Sequence, residues 1–388
     1  MRKEKIIILL IVLVDVLGIS VVIPILPFYV KDFGSSSSII TLLFATYSFF
    51  SFLSNPLLGS LSDKIGRRPI LIASIFSSMI GWIVFASAKS LLFLFIGRII
   101  DGIAAGNFST AQSYLVDISK DEKERASNLG LIGATFGIGF MMGPVLGGVL
   151  SSISHSFPFW CAAFFSLTNL IFAYFYLPET HKNKSNEKIN FHPLTPILRA
   201  VKPSPIRRHY FLYFIFIFSW AGAQSIFSLY GSDKFGFTSL QIGLLFTLLG
   251  LLAMLNQTLL LKNVWLKYFS DAKLEFIMFF IMSIGSILMA SDNIYIFFAA
   301  FLPIASSQAV LRVVITNQGA GKASPHEKGL VIGTLSGMMS LAMIFAPIIS
   351  GVLYEINISI PFYFAALVTF FATIVSFKGL KKIHHNNL

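Results

Sequence analysis

The chain is short of what a water-soluble protein keeps on its surface. Only 12% of its 388 residues are charged, about half the share found in soluble domains. Acids are scarcest, with 17 Asp and Glu against 29 Lys and Arg. There is one cysteine, Cys161, so no intrachain disulfide and no cysteine metal site is possible. It lies in an apolar run and reads as a small buried hydrophobe. The seven histidines, at 155, 181, 192, 209, 326, 384 and 385, all fall in loops or at the ends of apolar runs. No nucleophile–base pair and no metal-ligand spacing is found. An enzyme, a catalytic residue and a bound metal are therefore not expected.

Apolar side chain is what the sequence has in excess. Hydrophobic residues make up 55% of it and mean hydropathy is +0.79. No single core buries that much, so most of it must face lipid. A spanning helix needs about 20 mostly apolar residues. Twelve runs qualify, at 6–30, 39–61, 69–88, 91–118, 126–152, 157–177, 209–230, 238–261, 272–290, 293–317, 329–353 and 358–377. The start, Arg2-Lys3-Glu4-Lys5 followed by Ile6–Val30, has the look of a signal peptide. The run is too long for one, holds Asp15 and lacks a small-x-small cleavage site. It reads as an uncleaved first span.

The twelve runs fall into two copies of six. Residues 124–165 and 327–368 align without a gap at an offset of 203 positions. Glu124 meets Glu327, Gly130 meets Gly333, Pro144 meets Pro347 and Gly148 meets Gly351; Ser156, Pro158 and Phe159 meet Ser359, Pro361 and Phe362. The run opening at His209 lies one offset after Ile6. Fixed-offset repeats reveal duplicated architecture, and duplicated halves are common in transporters. The expected organisation is an N-terminal six-helix bundle over 1–177, a polar linker over 178–208 and a C-terminal six-helix bundle over 209–388.

Topology follows from the cations. With the N-terminus inside, the inner segments hold 24 Lys and Arg and the outer ones only Lys31, Lys89 and Lys234. The positive-inside rule then puts both termini in the cytoplasm. The net charge of +12 is accounted for without a nucleic acid.

The loop between helices two and three reads Gly59-Ser-Leu-Ser-Asp63-Lys-Ile-Gly66-Arg67-Arg68. It resembles the signature loop of the major facilitator superfamily, G-x-L-[AS]-D-[RK]-x-G-R-[RK], at every signature position. Gly59 is suited to close approach by helix two, Gly66 to a tight turn, and Asp63 to a place against a helix N-terminus. The resemblance implies that this helix is number eleven, near Lys328–Gly329. It also implies a conformational gate made of Gly59, Asp63, Gly66, Arg67, Arg68 and Arg125, with Arg67 pairing with Asp117 or Asp121.

Three further motifs sharpen the resemblance. Helix four carries Arg98-x-x-Asp101-Gly102-x-x-x-Gly106, similar to the family's R-x-x-x-G-x-x-x-G pattern with an acid added. Arg98 and Asp101 share a helix face. Helix five carries Gly139-x-x-x-Gly143-Pro144-x-x-Gly147-Gly148, which resembles the drug:proton antiporter motif. Its small residues favour close packing, expected against Gly243 and Gly250 of helix eight. Helix one places Asp15 in D-x-x-G-I-x-x-x-x-P-x-L-P, similar to the first helix of tetracycline exporters. Asp15 lies ~14 Å into the membrane at 1.5 Å per residue. An intramembrane carboxylate is costly when charged, and that makes it the first choice for a transported proton, with Arg98 and Asp101 beside it in that role.

The C-terminal half resembles quinolone and multidrug exporters in Phe227-Ser-Leu-Tyr230 and in Leu311-Arg312 followed by Ile315-Thr-Asn317. It departs from them at Gln224 and Ala309, where acids are expected. It departs from tetracycline exporters at Ala253, where a histidine is expected, and in lacking buried acids in helices three and nine. An Asp15–Arg312 contact is a further expectation. Candidate cavity residues are Tyr29, Gln112, Phe216, Gln224, Tyr230, Asn256, Gln308 and Arg312.

The resemblance implies an all-α integral membrane protein with the major facilitator fold, twelve transmembrane helices in two six-helix bundles. It implies a secondary active transporter of the cell membrane that exports lipophilic or cationic drugs in exchange for protons by alternating access, as in antibiotic resistance. No cofactor is implied beyond the proton-motive force. The implied partners are a small-molecule substrate, protons and the lipid bilayer, with no nucleic acid and a monomeric state. The alternative is a facilitator moving an endogenous metabolite by symport or uniport.

Overall fold

A computed structural model describes residues 3–180, 194–202, 204, 206–323 and 327–386. Among these, twelve helices are long and apolar enough to span a membrane. In chain order they are Lys3–Lys31, Ser37–Ile65, Arg67–Ala86, Leu91–Asp117, Glu122–Ser151, Phe157–Tyr176, Arg207–Phe235, Ser239–Tyr268, Asp271–Met289, Ile294–Gly321, Gly329–Ile356 and Ile360–Gly379, hereafter helices one to twelve. The 203-residue offset holds along the chain. Ile65, Ala86 and Tyr176 end helices two, three and six; Tyr268, Met289 and Gly379, one offset later, end helices eight, nine and twelve.

The chain forms two compact units. The first comprises residues 1–35, 46–193 and 237–247; the second comprises 36–45, 194–236 and 248–388. The starts of helices two and eight thus each pack with the other copy's helices, a departure from a strict division at residue 178. Each unit has its own apolar core. In the first, Ile8, Ile11 and Val12 of helix one meet Leu71 and Ile75 of helix three and Tyr114 and Leu115 of helix four. In the second, Leu212, Phe216 and Ile217 of helix seven meet Leu274, Met278 and Phe279 of helix nine and Val310, Val314 and Ile315 of helix ten. In both, the first helix of the repeat is the central one, which is why its hydrophobicity runs all round rather than along one stripe.

Three helices are interrupted. Helix four breaks at Ala104–Gly106 before restarting at Asn107. Gly102 and Gly106 flank that break on helix two, where an added Cβ would come within 2.8 Å of Phe50 and 2.5 Å of Leu58. Helix ten breaks at Ala300. Helix eight widens to a π-helix over Asn256–Trp265. The 178–208 connection is not wholly irregular: Thr195–Val201 is helical, opens on Pro196 as helix starts favour, and sets Pro196 against Gly337 of helix eleven.

Candidate functional site in the first unit

Two sites are built by the first unit, one at its basic end and one in mid-membrane. At the basic end the chain turns from helix two into helix three through Gly66, whose φ of 118° suits only glycine. A Cβ there would also collide with the Glu179 carboxylate. Glu179 follows helix six and accepts from the first backbone N–H groups of helix three, Arg67 N at 2.9 Å and Arg68 N at 3.1 Å. These donors have no partner inside the helix, and a carboxylate there also meets the positive end of the dipole. The expectation gave this place to Asp63. Asp63 is instead half exposed and salt-bridged to Arg67 one turn on, at 2.5 Å.

The Arg67 guanidinium is buried and reaches Asp117 Oδ2 at 3.1 Å and Ser62 Oγ at 2.6 Å. Asp117 is thus its partner, not Asp121, which caps helix five by accepting from Glu124 N at 2.7 Å. Arg68 donates to Tyr174 O at 2.7 Å. Arg125 donates its backbone N–H to Asp121 O at 3.0 Å. Gly59 has nothing within 4 Å of an added Cβ, so it is not a close-approach glycine within this unit. Lys5 and Glu124 close the same end at 2.6 Å.

The helix-five stripe packs mainly on helix one, not on helix eight as expected. Added Cβ atoms at Gly139 and Gly147 would come within 3.0 Å of Val16 and 2.7 Å of Ile25, and one at Gly143 would overlap Ser20. Ser20 uses the closeness to donate to Gly139 O at 3.1 Å. The start of helix eight takes the remaining face: a Cβ added at Gly148 would lie 2.8 Å from Leu240 Cα, and one added at Gly243 would collide with the Pro144 carbonyl. Gly250 has nothing within 4 Å, and its expected place in that seam is corrected.

In mid-membrane, Asp15, Arg98 and Asp101 come together with residues the sequence did not single out. Helices three and four touch through Gly81 and Gly97, each about 3.0 Å from the other helix's backbone if given a Cβ. That contact sets Arg98 within an aromatic cage, its Cζ 4.5 Å from Phe85, 4.9 Å from Trp82 and 5.8 Å from Tyr47. Gly18 of helix one makes room for Trp82. Cation–π attraction strengthens when the cation is desolvated, and Arg98 is 3% exposed. Asp101 Oδ2 faces Arg98 Nη1 at 3.5 Å. Asn107, first residue after the break in helix four, donates to Asp15 Oδ1 at 3.4 Å. Arg98 Nε and Nη2, Asn107 Oδ1 and Thr110 Oγ1 are buried without a hydrogen-bond partner. The cluster therefore holds one cation, two carboxyl groups and spare donors and acceptors.

The candidate cavity residues divide. Tyr29, Phe216, Tyr230 and Asn256 are committed to packing inside their own units. Tyr29 donates to Phe85 O at 3.0 Å and contacts Phe33, Phe85 and Phe159. Phe216 is fully buried in the second core. Tyr230 packs on Phe235, Phe297 and Phe362. Asn256 donates to Ser306 Oγ at 2.8 Å and accepts from Trp265 Nε1 at 3.0 Å, tying the π-helix to helix ten. Gln112, Gln224 and Gln308 are half-buried and Arg312 is exposed.

The chain matches the model for the Major Facilitator Superfamily over residues 8–265 and again over 210–387. It belongs to that superfamily. It is similar to tetracycline resistance protein, class C, of Escherichia coli, with 30% identity over 367 residues, 92% of this chain and 91% of that one. It is similar to quinolone resistance protein NorA of Staphylococcus aureus (strain COL), with 26% identity over 365 residues and 92% of each chain. Its fold is that of the nucleoside transporter NupG, with a TM-score of 0.80 at 13% identity over 98% of this chain and 99% of the other. The chain is a multi-pass membrane transporter of this superfamily, and each of these two resistance proteins aligns with 92% of it.

Proposed function

We propose that this transporter exports lipophilic or cationic compounds in exchange for protons, with both termini in the cytoplasm, as a monomer, with no cofactor and no enzymatic step. Similarity to tetracycline and quinolone resistance proteins over more than nine-tenths of the chain supports the export of drug-like substrates. The observation that carries the proton is a charge count. Arg98 is permanently cationic, and Asp15 and Asp101 lie in the same low-dielectric cluster. With both acids ionised the cluster carries a net negative charge, which is costly inside a membrane. Binding one proton makes it neutral. A proton therefore belongs to the state in which the cluster is closed off, and its loss belongs to the state in which the cluster is wetted or meets a cationic substrate. One proton moved through 100 mV supplies about 2.3 kcal/mol, enough to sustain a gradient of roughly 50-fold at 1.4 kcal/mol per decade.

The basic end supplies the gate in this reading. Arg67, Asp117 and Glu179 hold the start of helix three rigid, and the half-exposed Asp63, paired with Arg67, meets the start of helix eleven at Lys328–Gly329 in one state of the cycle. Gln112, Gln224, Gln308 and Arg312 remain as candidate substrate contacts. The test is substrate-induced proton release from proteoliposomes, screened over tetracyclines, quinolones and lipophilic cations. Release by wild type that is lost in Asp15→Asn supports antiport through helix one. Release by none of the compounds contradicts the drug reading and favours an endogenous metabolite.

A further inference from the structure

The second unit holds a buried acid that the cycle described above does not use. Glu275 lies one turn into helix nine, ~6 Å along the helix at 1.5 Å per residue, and is 0% exposed. The expectation that helix nine lacks a buried acid is thus corrected: its place near the polar margin of the run made it look solvated. One carboxylate oxygen is salt-bridged to Arg208 of helix seven. The other accepts from Gln318 Nε2 of helix ten at 3.3 Å. The same amide offers its oxygen to His209 Nε2 at 3.3 Å, and His209 is also 0% exposed. Arg208 reaches the acid across Gly379 of helix twelve, where an added Cβ would lie 2.6 Å from its Cζ. His209 Nδ1, Arg208 Nε and Ser376 Oγ are buried there without a hydrogen-bond partner. Among the described residues the charged groups facing Glu275 are Arg208 of helix seven and Lys322 after helix ten; Ser376 of helix twelve and Gln318 are neutral. His209 faces the same two cations.

The duplication shows that the fold does not require this cluster. One offset earlier, His209, Glu275, Gln318, Ser376 and Gly379 become Ile6, Ile72, Leu115, Ala173 and Tyr176. Leu115 and Ala173 belong to the apolar core of the first unit, and Ile72 packs against it. The cation is kept, Arg208 corresponding to Lys5, which in the first copy pairs with Glu124 of helix five. The positions of the acid, the amide and the histidine are hydrocarbon in one copy and polar in the other. A buried pair is seldom more stabilising than well-packed apolar residues of similar size, and an ionisable group within a membrane helix is a functional candidate by default.

We propose that Glu275, held by Arg208 and linked through Gln318 to His209, is a second proton-binding site of this transporter. In the ionised state Glu275 is paired with Arg208 and accepts from the Gln318 amide. When a proton arrives, the carboxyl oxygen becomes an O–H donor. The Gln318 side chain rotates so that its oxygen accepts from Glu275 instead of from His209 Nε2–H, and its NH2 donates to Nε2 once the ring proton has passed to Nδ1. Arg208, whose side chain is 27% exposed, is released toward solvent. The proton enters as a proton and leaves as one, with no other bond exchanged besides the ring N–H.

The test is infrared difference spectroscopy of the purified protein in lipid, comparing high with low pH. Wild type is expected to gain a carboxylic C=O stretch that shifts in D2O. Glu275→Gln is expected to lack that component and Asp15→Asn to keep it, so the assignment holds whether or not export is coupled through helix one. Should Glu275→Gln fail to fold, the triple variant His209→Ile, Glu275→Ile, Gln318→Leu installs the first unit's residues and is read in the same way. A band unchanged in Glu275→Gln, or in the triple variant, overturns the proposal. So does a Glu275→Gln protein that is merely less stable, with the wild-type band intact.

Discussion

The two copies of the repeat differ at their polar positions far more than in their frame. Asp15, Arg98, Asp101 and Asn107 of the first unit correspond to Phe218, Phe301, Ile304 and Val310 of the second. His209, Glu275 and Gln318 of the second correspond to Ile6, Ile72 and Leu115 of the first. Besides the Arg67–Asp117 pair at the basic end of the first unit, each unit thus has a buried polar cluster at positions where the other has apolar side chains, one in mid-membrane and one near the basic end. Helix ends kept at a constant offset show that the packing tolerates either filling. The clusters are therefore additions to a scaffold that stands without them, and in each the chemistry is separable from the fold.

The largest effect expected from breaking this comparison is at Arg98. Arg98→Ala leaves Asp101 buried without its cation and should destabilise the protein by about 3–5 kcal/mol, read as a fall in the thermal midpoint. The double variant Arg98→Phe, Asp101→Ile takes the residues of the second unit. It should recover most of that stability while losing substrate-induced proton release. Recovery of neither would mean that the first unit does need its charges to fold.

Next in size are the close contacts that only one copy has. Gly143→Val forces a side chain into Ser20 and should cost about 1–3 kcal/mol or more, whereas the corresponding position of the second copy already carries a Cβ as Ala346. Gly66→Ala meets both a positive φ and the Glu179 carboxylate, for about 1–3 kcal/mol. Glu179→Ala removes the cap of helix three at a cost of about 1 kcal/mol. The smallest effect sharpens the seam on Pro144. Gly243→Ala should lower the thermal midpoint clearly, and Gly250→Ala should leave it within about 1 kcal/mol of wild type.

Much of this was legible in the sequence, for identifiable reasons. Twelve spans follow from run length alone, and the offset between Pro144 and Pro347 already divides the chain. Asp15, Arg98 and Asp101 stand out because acids and cations are rare in apolar runs. The partners of those groups do not stand out. Trp82, Phe85 and Tyr47 are three aromatics among many, and only the Gly81–Gly97 contact makes them a cage. Glu179 and Glu275 sit at the polar margins of apolar runs, where a charge looks solvated. Glu179 did follow a Pro178 that stops helix six; nothing local distinguishes Glu275 from a surface acid until Arg208 is seen crossing Gly379. Tyr29, Phe216 and Tyr230 were read as lining a cavity because aromatic side chains suit both a binding surface and a core, and burial alone separates the two.

Proton coupling through the first unit is tested most directly by exchange measured against accumulation in proteoliposomes. Asp15→Asn should still exchange labelled for unlabelled substrate across the membrane at a rate near wild type, and should fail to accumulate substrate against its gradient when a pH gradient is imposed. A variant that accumulates substrate as wild type does would contradict the claim that Asp15 carries the proton.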